Sequence, residues 1–119
     1  MPIQTFVIED KIESWNALVG KHFRKVITIK NYWKVLTIKA LNEYKIVPVT
    51  SFPCEVSIHC KFKYKIDRDI DSVYFKSCLD QMVKSGIFPD DSLKYIDRVA
   101  YSGEIGAKKD QIIVTICTA

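Results

Sequence analysis

The sequence predicts an α+β domain, a mixed sheet of about four strands covered by two main helices. Three observations carry that expectation. The stretch "CEVSIHCKFKY" alternates apolar and polar residues with period two, as a strand with one buried face does. The segments "IKNYWKVLTIKALNEY" and "DSVYFKSCLDQMVKSG" repeat apolar residues every three or four positions, the period of an amphipathic helix. Short apolar runs toward both ends then give the order β, irregular, α, β, α, β, β, which suits helices packed on a mixed sheet.

In chain order, "QTFVIE" reads as a short strand. "DKIESWNALVGKHFRK" follows as an irregular segment with room for a short helical turn. The first helix places Ile29, Trp33, Leu36, Ala40 and Tyr44 on one face, although its β-branched start leans toward strand. Pro48 and Pro53 bracket a turn. In the alternating strand, Cys54, Val56, Ile58, Cys60, Phe62 and Tyr64 face the core. His59 falls on the polar face, where a solvated histidine is expected rather than a ligand. The second helix sets Phe75, Leu79, Met82 and Val83 toward the core, lines Lys76, Asp80 and Lys84 along another face, and stops at Gly86. After the "FPDDS" turn, "LKYIDRVAY" and "QIIVTIC" read as strands, with "SGEIGAKKD" as a hairpin loop between them.

Length and composition set the bounds. The 119 residues fit one domain, 1–119, and show no repeat, low-complexity tract or Gly/Ser linker. A hydrophobic content of 48% is enough to build a core. No apolar run approaches the roughly 20 residues of a membrane span. The N-terminus lacks a basic leader followed by an apolar stretch, so the expectation is a cytoplasmic protein without membrane association. Cys54, Cys60, Cys78 and Cys117 form no C-x-x-C pair and no zinc-ligand spacing, and read as small buried apolar groups. The net charge of +4 is unevenly placed. Residues 1–65 hold eleven Lys or Arg against five acids, and residues 66–119 hold seven against nine. A basic half beside an acidic patch suits a polyanionic partner and a metal-binding spot; it also suits an ordinary solvated surface.

The acidic patch is sharply local. In "KIDRDID", Asp67, Asp69 and Asp71 occupy every second position. On extended backbone, residues i and i+2 point to the same side about 7 Å apart, so Asp69 and Asp71 would converge on one point beyond the alternating strand. Magnesium takes oxygen ligands at about 2.1 Å and accepts one or two carboxylates plus waters and phosphate oxygens. Asp90 or Asp91 would supply a third ligand if the second helix folds the chain back. The alternatives are a solvated loop for the D-x-D and a plain turn or helix cap for "PDDS".

The run "RDIDSVYFKSCLDQMVKSGIFPDDSLKYI", with a closing "DQIIVTI", resembles the RusA family of Holliday junction resolvases, small dimeric endonucleases of bacteria, phages and prophages. The residues that carry the likeness are Arg68, Asp69, Asp71, Lys76, Leu79, Asp80, Lys84, Gly86, Asp90 and Asp91. It covers the C-terminal half; the N-terminal half is similar only through "SWNALVGKHFRK". Two positions depart from the family pattern. Ser72 stands where the family has asparagine, and one extra residue separates Asp71 from Lys76. That spacing turns Lys76 toward the aspartates only if the helix starts late.

The resemblance implies a RusA-like fold and Mg2+ (with Mn2+ as an alternative) on Asp69, Asp71 and Asp91, with Lys76 as a catalytic residue. It further implies a homodimer acting on branched DNA such as a four-way junction, in a bacterial or phage-infected cell, with no small-molecule cofactor. Two symmetric cuts in a two-fold substrate ask for a two-fold pair of sites. DNA grip is expected from Lys21, His22, Arg24, Lys25, Lys63, Lys65 and Arg68, with Asn16 at the rim, unless these are only solvated surface. Lys76 has a plainer role open to it, as an i,i+4 partner of Asp80. Trp15 and Trp33 are expected in the core rather than on unpaired bases. Two other functions fit the sequence: a non-cleaving module that binds branched DNA, and a small protein-interaction domain.

Overall fold

A computed structural model describes residues 3–11, 23–65 and 75–118. Its elements run β1 (Ile3–Ile8), α1 (Phe23–Glu43), β2 (Cys54–Phe62), α2 (Lys76–Lys84), β3 (Ile96–Ile105) and β4 (Gln111–Thr118). The four strands form one mixed sheet in the order β1-β4-β2-β3. β4 is antiparallel to both β1 and β2, whereas β3 runs parallel to β2. The α+β architecture is the one expected.

The alternation in β2 sets the inside and outside of the sheet. Cys54, Val56, Ile58, Cys60 and Phe62 are buried, and their register partners on β4, Ile112, Val114, Ile116 and Thr118, are buried beside them. Phe6 and Ile8 of β1 continue the same face. Fully burying an apolar side chain of this size stabilises by about 1.5–3 kcal/mol, so this layer is the main source of stability. Trp33, Ala40 and Leu41 of α1 and Cys78 and Met82 of α2 cover it. Trp33 is thus a core residue, as expected. All four cysteines are free thiols, three of them buried. Burial pushes the Cys60 thiol up to about 11 and the Cys78 thiol up to about 12, which keeps them neutral and inert.

Both helices end in a Schellman motif. In α2 the Gly86 N–H donates to the Val83 carbonyl and the Ile87 N–H to Met82, with Gly86 at φ +81°. In α1 the same two bonds run from Lys45 to Asn42 and from Ile46 to Leu41, with Lys45 in the left-handed region at φ +52°. The buried Thr37 hydroxyl donates to the Trp33 carbonyl at 2.7 Å, so its polar group is satisfied inside the core.

Several expectations need correction. Tyr44 and Tyr64, expected on the core faces of the first helix and the alternating strand, lie just beyond those elements and are exposed. "SGEIGAKKD" is not a hairpin loop. Its first four residues belong to β3, and β2 lies between β3 and β4. Residues 106–110 arch over the end of β2, with the Ala107 N–H donating to the Phe62 carbonyl and Asp110 Oδ1 accepting from the Lys63 N–H. Crossing one intervening strand means about 10 Å, which a link of that length spans with ease. The second helix is also shorter than its pattern. It starts at Lys76, with Phe75 as N-cap, and buries Ser77, Cys78 and Gln81 as well as Met82. α2 packs against α1, and the Gln81 amide is satisfied within its own helix end by donating to the Ser85 hydroxyl. Among the described residues no helix is long and apolar enough to cross a membrane.

Candidate active site

The start of α2 brings together three of the charged residues singled out above. Lys76 is the first residue of the helix and points its ammonium between two carboxylates. It donates to Asp91 Oδ2 and lies 3.2 Å from Asp80 Oδ1, one turn along the helix. Asp91 comes from the link between α2 and β3, which is pinned on both sides. Ile87 and Phe88 are buried before it, with the Ile87 carbonyl accepting from the Val49 N–H. After it, the Tyr95 and Ile96 N–H groups donate to the Ser92 carbonyl, and the Tyr95 carbonyl accepts from Cys54. The chain therefore returns Asp91 to the first residue of α2, while the Asp69/Asp71 pair that the fold-back expectation concerned lies outside the described residues.

Asp90 behaves differently. Its Oδ1 accepts the Asp91 N–H at 2.8 Å, the local bond of a turn residue, and its side chain is exposed. Of the two adjacent aspartates, Asp91 is the one that engages Lys76.

The pair shifts both titrations. The Lys76 ammonium holds the Asp91 carboxyl below its ordinary 3.8, and Asp91 first, then Asp80, holds Lys76 above its ordinary 10.5. Asp91's depressed value makes its contribution to stability complete above pH 3.8 and lost as pH falls through the lower folded value. Lys76's raised value makes its contribution complete below 10.5 and lost as pH rises through the higher folded value. The pair is half exposed, so its worth is below about 1 kcal/mol. The stability difference between wild type and Lys76→Met, measured by urea unfolding, should be flat across neutral pH and shrink only in strong acid or strong base. A difference that changes around neutrality would mean another group governs it.

The remaining predicted residues divide by location. Asn16, Lys21, His22, Arg68, Asp69 and Asp71 lie outside the described residues, as does the side chain of Arg24. Asp71 is five positions before Lys76, so a fully extended chain keeps their Cα atoms within about 18 Å. The described helix starts at Lys76, and the segment between Asp71 and Phe75, on which the facing of Lys76 to the aspartates depends, lies outside the described residues. Lys25 and Lys65 are exposed.

The fold adds basic residues that the sequence reading did not group. Lys63 and Lys65 follow β2, and the arching link sets Lys108 and Lys109 beside them. The stem of Lys65 lies against Gly106, where an added Cβ would come within 2.8 Å of it. Lys11, after β1, stands 5.9 Å from the Tyr64 ring centre. Five lysines thus collect at one end of the sheet, the end from which the aspartate-bearing segment departs. Glu9 tempers the group, pairing with Lys109 at 3.0 Å. The signal that could have found this cluster is the link's Lys108–Lys109 pair, once its path over β2 is known.

A cavity of about 270 Å³ lies elsewhere, between the end of β1 and α1, lined by Asp10, Lys11, Thr28, Ile29, Tyr32 and Trp33. It shares no residue with the Lys76 cluster.

Among the described residues no group of three or more His, Cys, Asp or Glu is placed to hold a metal ion. The described part of the candidate site offers the carboxylates of Asp80 and Asp91, and both are engaged by the Lys76 ammonium. No protein-family model matches this chain, and no curated protein matches it.

Proposed function

We propose that this chain is a magnesium-dependent endodeoxyribonuclease that cuts branched DNA, with Holliday junctions as the substrate class and a homodimer as the working unit. The observation that carries the reading is Lys76 held by Asp91 directly after the segment bearing Asp69 and Asp71. This contact ties Asp91 to a lysine that stands five positions after Asp71 in the chain, which supports a site shared with that segment.

Asp69, Asp71 and Asp91 would hold the ion, which when bound supplies Lewis-acid polarisation of the phosphoryl oxygen and a water of lowered pKa. Lys76 is a cation beside the place where the scissile phosphate would lie, and it stabilises negative charge there. Its link to Asp91 fixes its direction before substrate arrives. The lysines at the sheet end, with Lys25 and Arg68, neutralise phosphates without reading bases, which suits recognition by shape.

Incubating the protein with an end-labelled synthetic four-way junction, with and without magnesium, tests the reading. Paired symmetric nicks should appear only with the metal, and Asp71→Asn should bind the junction without cutting it. Tight binding with no nicks from wild type would leave a junction-binding module, a reading that Ser72 in place of the family's asparagine favours. Neither binding nor cutting would leave a protein-interaction domain.

A further inference from the structure

The cavity of about 270 Å³ between the end of β1 and α1 shares Lys11 with the lysine group at the sheet end. Positions 28, 29, 32 and 33 lie on one face of a helix, so α1 supplies one wall. The chain leaving β1 supplies the other with Asp10 and Lys11. Tyr32 is half exposed, so its ring reaches the surface, whereas Trp33 is buried. The two rings meet edge to face with centres 5.6 Å apart. A cavity of this volume lies just below the range that drug-sized ligands fill, so it suits a single flat ring system.

The charges around it say what kind of ligand fits. Asp10 accepts the Lys11 backbone N–H at 2.8 Å on one oxygen and the Tyr32 hydroxyl on the other. Each oxygen keeps a lone pair for a further donor. A simple anion is repelled by that carboxylate. A simple cation is repelled by Lys11 and by the other lysines of the sheet end. A ligand that suits both joins an anionic group to a planar body carrying N–H donors, which describes a nucleotide. Tyr64 adds a second flat surface. It is 59% exposed, and the Lys11 ammonium lies 5.9 Å from its ring centre, so one lysine serves both the ring and the cavity. Basic residues interleaved with exposed aromatics grip unpaired strands, in which bases are free to stack.

We propose that this end of the sheet binds unpaired nucleotides of a DNA strand, with one base in the cavity against Tyr32, a neighbouring base stacked on Tyr64 and a phosphate on Lys11. Asp10 accepts from the amino group of adenine, cytosine or guanine, whereas thymine has no amino group and presents carbonyls instead. The choice of DNA rests on the nuclease reading; the unpaired-base site rests on the cavity and the two rings.

Fluorescence anisotropy with short labelled strands, read in EDTA so that nothing is cut, is the test. Tyr32→Ala and Tyr64→Ala should each weaken oligo(dA) binding about fivefold or more, and Tyr32→Phe and Tyr64→Phe should stay within about twofold of wild type. None of the four should change binding of a duplex of equal length, which offers no free base face. Lys11→Ala should reduce the slope of log affinity against log salt by about 0.7, the share of one phosphate on a single strand. Asp10→Ala should lower the ratio of oligo(dA) to oligo(dT) affinity, a comparison in which the stacking of each free strand cancels. Both tyrosines are exposed, and circular dichroism checks that the variants keep their fold. A wild type that does not bind the single strand, an alanine variant at either tyrosine that binds it as wild type does, or equal losses on strand and duplex would each overturn the proposal. Paired nicking of a four-way junction with magnesium alongside any of those results would leave the nuclease reading standing without this site.

Discussion

Asp91→Asn should lower nicking of a four-way junction by at least about a hundredfold while leaving junction binding within a few-fold of wild type. The substitution keeps the shape of the side chain and removes one negative charge. It takes away the carboxylate that raises the Lys76 titration and holds that ammonium in place. Removing one charge-stabilising group from an active site commonly costs about a hundredfold to a thousandfold in rate. On the proposed reading, binding would come from lysine contacts to phosphates, to which a carboxylate adds nothing. The adjacent Asp90→Asn is the control. Its described role is to accept the Asp91 N–H, and an asparagine oxygen accepts the same bond, so its cutting should stay within a few-fold of wild type. Cleavage rates on a labelled junction, with binding followed by gel shift, settle the comparison. If both variants cut equally well, Asp91 has no special place in the site.

Phe88→Ala should destabilise the fold by about 3–5 kcal/mol, the usual cost of emptying a buried phenylalanine site. Phe88 is 1% exposed and lies in the core cluster with Met82 and Ile87. A domain of this size carries only about 5–15 kcal/mol of net stability, so the loss is a large part of it. Thermal or urea unfolding would register it directly. The same side chain anchors the link that presents Asp91, three positions later. Cleavage by Phe88→Ala should therefore fall even at temperatures where the variant is fully folded. A loss below about 1 kcal/mol would mean the link is not held by this ring.

Much of the fold was legible because burial imposes a period. Cys54 to Phe62 alternate in the sequence and alternate in the sheet, and Ile29, Trp33 and Ala40 face the core from a helix. Gly86 announced the end of α2 because only glycine takes φ near +80° at low cost. Strand order was not legible. β2 and β4 each have two neighbours, and periodicity tells which face a residue takes, not which strand lies beside it. The burial of Ser77 and Gln81 was equally hidden, since it arises from tertiary packing and not from their own polarity. At the site, sequence marked Lys76 and Asp91 as candidates and Asp80 as an i,i+4 partner of Lys76. The fold puts both carboxylates on one ammonium. The lysines at positions 108 and 109 went ungrouped because only the course of the 106–110 link unites them with Lys63 and Lys65, and Lys11 because only the pairing of β1 with β4 brings it to that end.

The position of β4 has a bearing on how the chain is made. It is the last described strand in sequence, yet it fills an interior place, between the first strand and β2. A ribosome therefore releases β1 and β2 long before the segment that joins them exists. Until it emerges, the apolar faces of Phe6, Val56 and Ile58 have no completed sheet to belong to, and the nascent chain relies on its helices or on chaperones for cover.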